Sequence, residues 1–339
     1  MLLSQSLRNL TNQLQRSSTI TSINVHKLFR STHNFAIARE IPNSFINALS
    51  AHHANNANDA VDTTNNTSPP QDEGGVSLAI SRQQHDNYLH TLRQHIPTIC
   101  LPGLENHPDS VFVEDAVVAI GNTACLMQPG HVSRRGEVDS METILEQLGM
   151  VHNLHDMRSS TDNNNNNHTE CIGDGGDVLY TGRHLFVGIS HRTNESGFQF
   201  LKNAFAHEFA NNHDSNSSII AVPPVVQGKD VLHLKSAVTH LDEYTLLAPE
   251  GPVGDSVLFA MKAKERGYDA IRLPDILSCN AVVVNGHVIA QDNANKCEVS
   301  KERIAIACQE RGLGLSFVDT SELAKKDAAL TCCSVLLSL

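Results

Sequence analysis

The chain has 339 residues, a formal net charge of -12, no tryptophan and few other aromatics, so its core must rest on Val, Ile, Leu and Ala. The acidic balance argues against nucleic acid as the main partner, and no run approaches the ~18 apolar residues that a bilayer-spanning helix needs. Eight cysteines with no C-x-x-C pair and no regular spacing read as reduced intracellular thiols, not as a disulfide framework or a structural zinc site.

In chain order, residues 1–34 come first, with Arg8, Arg16, Lys27 and Arg30; no acid occurs before Glu40. Leu2, Leu3, Leu7, Leu10 and Leu14 fall near helical spacing. This composition fits an organelle transit peptide, and equally a disordered tail with no address. The expected location is mitochondrial in the first case and cytoplasmic in the second. Residues 35–339 read as one catalytic domain carrying polar insertions near 51–75, 159–169 and 211–218, each between segments of clear apolar patterning.

With the insertions set aside, a ββαβ unit recurs every ~50 to 65 residues. The first full copy has strands Ala116–Ile120 and Ala124–Met127 and a helix near Ser133–Leu148 that Gly149 stops. The second has Val178–Tyr180, Leu185–Ile189, a helix over Glu195–Phe209 and strand Ile219–Val222. The third has Ser236–His240, Thr245–Ala248, a helix near Asp255–Arg266 and Ala270–Leu273. The fourth has Ala281–Val284 and His287–Ala290 around Asn285-Gly286, the strongest hairpin signal here, then a helix over Val299–Arg311 and Leu315–Val318. The last copy is split. Phe35–Ala38, a helix over Leu78–His95 and Thr98–Leu101 lack a first strand, which Cys333–Leu337 supplies from the other end. Joining the termini closes a ring without free edges, so an α/β fold of five propeller blades is expected. An open doubly wound sheet is the competing architecture, but hairpins sit where a parallel sheet needs crossovers.

Polar residues concentrate where each unit enters its first strand. These are Asp109 with Glu114 and Asp115, then Asp174-Gly175-Gly176-Asp177, His233, Asn280, and finally Thr331-Cys332. If rotation relates the units, these positions meet at the centre. Adjacent cysteines in a strand point to opposite faces, so Cys332 can face a pocket while Cys333 enters the core. Carboxylates around a thiol raise its pKa, an arrangement that makes sense for a cationic ligand. A planar guanidinium with forked N–H donors suits clustered Asp and Glu. The thiolate would attack its central carbon, and the His would protonate the departing amine and then activate water. Singly, each residue has an ordinary explanation: a small buried Cys, a structural His, a tight turn, a solvated Arg134-Arg135 face. Their joint occurrence at one point of a repeat outweighs those explanations, and Asn280 is read as structural.

At these residues the chain resembles the dimethylarginine dimethylaminohydrolases of the guanidino-modifying pentein superfamily. The likeness rests on His107–Asp115, Pro129-Gly130 with Ser133-Arg134-Arg135, Asp174–Leu179, Gly188 with Arg192-Thr193-Asn194, Leu232–Ser236 and Leu330–Leu336. It implies a five-bladed α/β propeller that hydrolyses Nω,Nω-dimethyl- or Nω-monomethyl-L-arginine to citrulline and an amine through a covalent intermediate on cysteine. It makes Cys332 the nucleophile, His233 the general acid and base, and Asp174 the acid orienting His233 and the guanidinium. It gives Asp109 a guanidinium nitrogen, adds Glu114 and Asp115 to an acidic wall, and has Arg134 and Arg192 grip the substrate carboxylate. Leu49 matches a lid residue. Lys326 stands where the family often has an apolar residue that contacts ligand through its backbone, a departure bearing on selectivity. No cofactor or metal is implied, and the partner is a small methylated arginine met by a monomer or homodimer. An arginine deiminase releasing ammonia and a non-catalytic guanidine binder are the alternatives.

Overall fold

A computed structural model describes residues 33–49, 75–149, 153–160, 170–210, 219–224, 231–292 and 297–338. Nearly all of the expected tail or transit peptide and of the three polar insertions lies outside the described residues. Among these residues no helix is long and apolar enough to cross a membrane.

The described residues form a mixed α/β fold of five small sheets with one topology. Strands β1 (Phe35–Arg39) and β2 (Thr98–Leu101) are parallel and joined through helix α1 (Leu78–Arg93). Next come β3 (Val117–Ile120), β4 (Thr123–Leu126), α2 (Val138–Leu148) and β5 (Asn153–Asp156). They are followed by β6 (Val178–Tyr180), β7 (Leu185–Gly188), α3 (Glu195–Ala204) and β8 (Ile219–Val222). The fourth set is β9 (Thr239–Asp242), β10 (Thr245–Pro249), α4 (Pro252–Ala260) and β11 (Asp269–Leu273). The fifth is β12 (Ala281–Val284), β13 (His287–Gln291), α5 (Glu298–Arg311) and β14 (Gly314–Val318). In each of the last four, the first two strands form an antiparallel hairpin and the helix returns the chain parallel to the second. Strand β15 (Ser334–Leu337) pairs antiparallel with β1, so the chain ends complete a sheet of the same kind.

The middle strands β1, β4, β7 and β10 are buried along their whole length. Their runs of Ala, Leu, Val, Ile and Phe are what a strand covered on both faces requires. Tyr88 of α1 is fully buried and its hydroxyl meets Ser334 Oγ at 2.7 Å, which fastens the helix to the terminal strand. Asn285 and Gly286 both take positive φ, 49° and 80°, as a two-residue hairpin turn demands.

A single helical turn precedes the first strand of every sheet: Val113–Ala116, Gly175–Asp177, Leu234–Ala237, Leu277–Cys279 and Thr331–Cys333. These turns correct three readings: Ala116, expected to begin a strand, is the last residue of its turn. Ser236 and Ala237 are not strand, because the Asp177 carboxylate accepts the Leu234 N–H at 2.9 Å and winds the chain first. Cys332 and Cys333 likewise lie in the turn ahead of β15. They still meet different surroundings: Cys333 is 1 % exposed and Cys332 is partly accessible. The helix expected over 195–209 breaks after Ala204, and a short helix Ala206–Ala210 follows. Phe205 leaves the helical register there, and its ring is buried with Phe198, Leu201 and Phe209.

Hydrogen bonds link each turn to the next. Asp115 Oδ1 accepts Gly176 N–H at 2.8 Å, and Asp177 Oδ1 accepts Leu234 N–H. The Asn280 amide donates to Lys235 O at 3.0 Å and its oxygen accepts Thr331 N–H at 3.1 Å. Thr331 Oγ1 donates to Glu114 Oε2 at 3.1 Å, returning to the first turn.

Candidate active site

Residues from these turns and from several outlying segments line an open pocket. Its wall contains Cys332 and His233 together with Asp109, Asp115, Arg134 and Arg192; Leu49 and Lys326 border it as well. Phe112, Leu232, Asp327 and Ala328 complete the lining and had not been singled out as contacts. Phe112 and Leu232 stand within motif segments, and Ala328 follows Lys326 closely, so nearness to a named residue was the available signal. Two expected residues, Glu114 and Asp174, are not among the lining residues.

Asp174 is fully buried behind His233. Its Oδ2 lies 3.0 Å from His233 Nε2, while Oδ1 accepts the Gly130 N–H at 2.8 Å. The Gly175-Gly176 pair after it is a matter of space. A Cβ on Gly176 would stand 2.6 Å from His233 Nδ1 and 2.9 Å from Asp115 Oδ1. The imidazole therefore packs directly on backbone, with carboxylates about it. Burial alone would hold the pKa of His233 down. The charge of Asp115, the hydrogen bond to Asp174 and the charge of Asp177 outweigh it and push the value up to about 9. His233 is thus a cation at neutral pH.

Glu114 turns both oxygens away from the pocket, one to the Lys235 ammonium and the other to Thr331. Burial raises its pKa, while Lys235 counteracts. Asp115 accepts Gly176 N–H on Oδ1 and the Arg134 guanidinium on Oδ2. Burial would raise Asp115 as well, yet His233 and Arg134 hold it below the usual carboxylate range. Cys332 feels the opposite balance. Burial, Glu114 and Asp115 all push its thiol well above the ordinary value.

The two arginines differ. Arg134 donates Nε and Nη2 to Glu137, Nη1 to Asp115, and Nη2 also to the Phe112 carbonyl at 3.0 Å. Its charge is matched by two buried carboxylates. Arg192 is 5 % exposed, and its Nη1 is buried without a hydrogen-bond partner. Asp109 receives the Leu49 N–H at 3.1 Å, and Lys326 Nζ donates to the Ala48 carbonyl at 2.9 Å. Burial raises Asp109, with Arg134 and the Leu49 N–H opposing.

Asp115, Asp174 and His233 bring one potential ligand atom each within 4.8 Å of one another. By donor type such a trio suits a divalent ion. Here the Arg134 guanidinium, two backbone N–H groups and the imidazole itself already take the carboxylate oxygens. The cluster is built to charge an imidazole.

The family described as N,N dimethylarginine dimethylhydrolase, eukaryotic, matches residues 50–220. The N(G),N(G)-dimethylarginine dimethylaminohydrolase of Streptomyces coelicolor is 30% identical over 263 residues, 77% of this chain and 88% of that protein. The chain belongs to this family. The Pseudomonas aeruginosa dimethylarginine dimethylaminohydrolase is 28% identical over 269 residues, covering 77% of this chain and 90% of its own. These dimethylarginine dimethylaminohydrolases are hydrolases acting on guanidino C–N bonds. A solved structure of the Pseudomonas enzyme, a Cys-to-Ser mutant complexed with citrulline, shares the fold at a TM-score of 0.67 and 24% identity, covering 90% of this chain and 100% of that one. The N-terminal domain of a cyanobacterial arginine dihydrolase, bound to substrate, also shares the fold, with TM-score 0.63 and 16% identity over 90% of this chain and 99% of that one.

Proposed function

We propose that this protein hydrolyses Nω,Nω-dimethyl-L-arginine, and the monomethyl form, to L-citrulline and dimethylamine or methylamine. The observation that carries the reading is the meeting of Cys332 and a cationic His233 on one pocket wall, in a chain of this family. In the reaction, the substrate guanidinium enters beside Asp115, and its positive charge offsets the acids that keep the Cys332 thiol protonated. The thiol loses its proton to water, and the thiolate attacks the guanidinium carbon. The tetrahedral adduct expels the methylated amine as His233 gives that nitrogen its proton. A thiouronium remains on Cys332. Neutral His233 then takes a proton from water as the hydroxide adds to the same carbon. Collapse of that adduct breaks the C–S bond and releases citrulline, while the adduct's hydroxyl proton passes through water to the departing sulfur and restores the thiol. No step calls for a metal or cofactor.

Arg192, with its buried free donor, receives the substrate carboxylate, and Asp109 faces the amino-acid end or a guanidinium nitrogen. Arg134 stands on the same wall with its charge committed to Asp115 and Glu137, so its contribution to the carboxylate is secondary. Asp174 acts by holding His233. The five sheets are read as blades of a propeller around this pocket, supported by the succession of hydrogen bonds that returns from Thr331 to Glu114.

The test is citrulline formation from asymmetric dimethylarginine and from arginine, with Cys332→Ser beside the wild type. Citrulline from the methylated substrate, abolished in the variant, is expected. Preference for arginine would move the protein to the deiminase class. No product from either substrate sinks the catalytic roles.

A further inference from the structure

Beneath Cys332 lies a closed polar circuit that the reaction scheme does not use. Asn280 is 2 % exposed and makes three hydrogen bonds. Its amide nitrogen donates to Lys235 O and to Thr331 Oγ1, each at 3.0 Å, and its oxygen accepts Thr331 N–H at 3.1 Å. Thr331 passes its hydroxyl proton toward Glu114 Oε2, and Glu114 Oε1 takes the Lys235 ammonium. The circuit closes on the residue where it began. Lys235 is the second residue after His233, and Thr331 directly precedes Cys332. One side chain therefore spans the turn that carries the acid–base group and the turn that carries the nucleophile.

We propose that Asn280 is a positioning residue for the reaction, setting the separation of Cys332 and His233 through its bonds to Thr331 and Lys235. This rests on the assignment of those two as the reacting pair. The chemistry of the amide fits the task. A carboxylate here could accept from Thr331 N–H but could donate to neither the Lys235 carbonyl nor Thr331 Oγ1. An aliphatic residue would leave a buried N–H and a buried carbonyl unpaired. Only an amide supplies donor and acceptor together at this reach. The donor direction is consistent throughout: amide to hydroxyl, hydroxyl to Glu114, ammonium to Glu114. Two donors thus converge on Glu114, whose charge raises the Cys332 thiol, and loosening either leaves that charge less balanced.

The test uses the full chain with Asn280→Ala and, separately, the near-isosteric Thr331→Val. Two readouts are taken: steady-state hydrolysis of dimethylarginine, and the pH profile of Cys332 alkylation by iodoacetamide, followed by mass spectrometry of the labelled peptide. A misplacement of about an ångström between reacting groups costs on the order of 10²-fold. Asn280→Ala is expected to lose about that factor in kcat while KM moves less than about threefold, and its alkylation profile moves to higher pH. Thr331→Val moves both in the same direction by a smaller factor. A lowered melting temperature with kcat and the alkylation profile both unchanged would overturn the proposal. Should Asn280→Ala fail to fold, Thr331→Val decides alone, and wild-type values in it overturn the idea. Should the wild type turn over no methylated arginine, the alkylation profiles still decide: displaced profiles support the circuit, superimposable ones reject it.

Discussion

The floor of the pocket and its rim are built on different terms. On the floor, both oxygens of Glu114, Asp115 and Asp174 have partners, and Asn280 uses its donor twice and its acceptor once. On the rim, Arg192 keeps a buried Nη1 without a partner, and the Leu49 segment is held by its own N–H on the Asp109 carboxylate and by the Lys326 ammonium on the Ala48 carbonyl. Groups that must act on a transition state gain from being fixed before the ligand arrives, since no reorganisation is then needed during reaction. Groups that must recognise and release a ligand cannot be saturated by the protein itself. The contrast separates chemistry from capture, and it predicts which measurements each substitution moves.

The largest effect belongs on the floor. Asp174→Asn keeps the shape but removes the charge and the strong acceptor behind His233 Nε2, so kcat should fall by roughly 10²- to 10⁴-fold, with KM little changed. The same substitution has a stability signature. The folded pKa of His233, about 9, lies above its unfolded value. The protonated imidazole therefore stabilises the fold fully below about pH 6.5, and that contribution is lost as pH rises through about 9. Melting temperature in the wild type should decline over this window, and Asp174→Asn should flatten the decline. An unchanged slope would mean that Asp174 does not set the charge on His233.

Much of this was legible from the residues. Repeated hairpins and helices placed the five sheets, and pairing Phe35–Ala38 with the terminal strand followed from each lacking a partner. Entry points to the first strands located Cys332, His233 and the acids because backbone repetition is a local pattern. What escaped were choices made by distant partners. Nothing near Glu114 in the chain announces that Lys235 and Thr331 will claim its oxygens and turn it from the pocket. Of the Arg134-Arg135 pair only Arg135 reaches outward, to Glu170, and Arg134, expected to grip a carboxylate of the substrate, is claimed by carboxylates of the protein. Arg134 is drawn inward by Asp115 and by Glu137, three residues on. Asn280 reads as structural from its place in the repeat, and nothing local announces that its three bonds reach across two other units.

On the rim the expectation reverses. Arg192→Met removes a cation with an unpartnered buried donor, proposed above to bind the substrate carboxylate, a charged hydrogen bond of about 1.5–3 kcal/mol. KM should rise about tenfold to a hundredfold while kcat at saturation changes by less than about threefold. Dimethylguanidine-like substrates without a carboxylate should be handled equally by both proteins. A fall in kcat with KM unchanged would put Arg192 with the floor instead.

The smallest expected effect sharpens the comparison most, because it isolates one hydrogen bond between the pocket wall and the segment ending at Leu49. The strap Asn43–Asn47 is fixed at its start: Glu105 accepts the N–H groups of Asn43 and Ser44, and Phe45 is fully buried. Its far end, at Ala48 and Leu49, rests on Lys326 Nζ and the Asp109 carboxylate, both on the pocket wall. Lys326→Met retains the stem and removes the ammonium, so the Ala48 carbonyl loses its donor. A partly exposed bond of this kind contributes about 0.5–1 kcal/mol, which converts to a two- to fivefold faster alkylation of Cys332 by iodoacetamide without substrate. Saturating dimethylarginine should protect both proteins alike, because the ligand then fills the space the strap covers. Equal rates without substrate would show that the strap stays down on Asp109 and Phe45 alone, and would leave Lys326 as a charge on the wall rather than a tether.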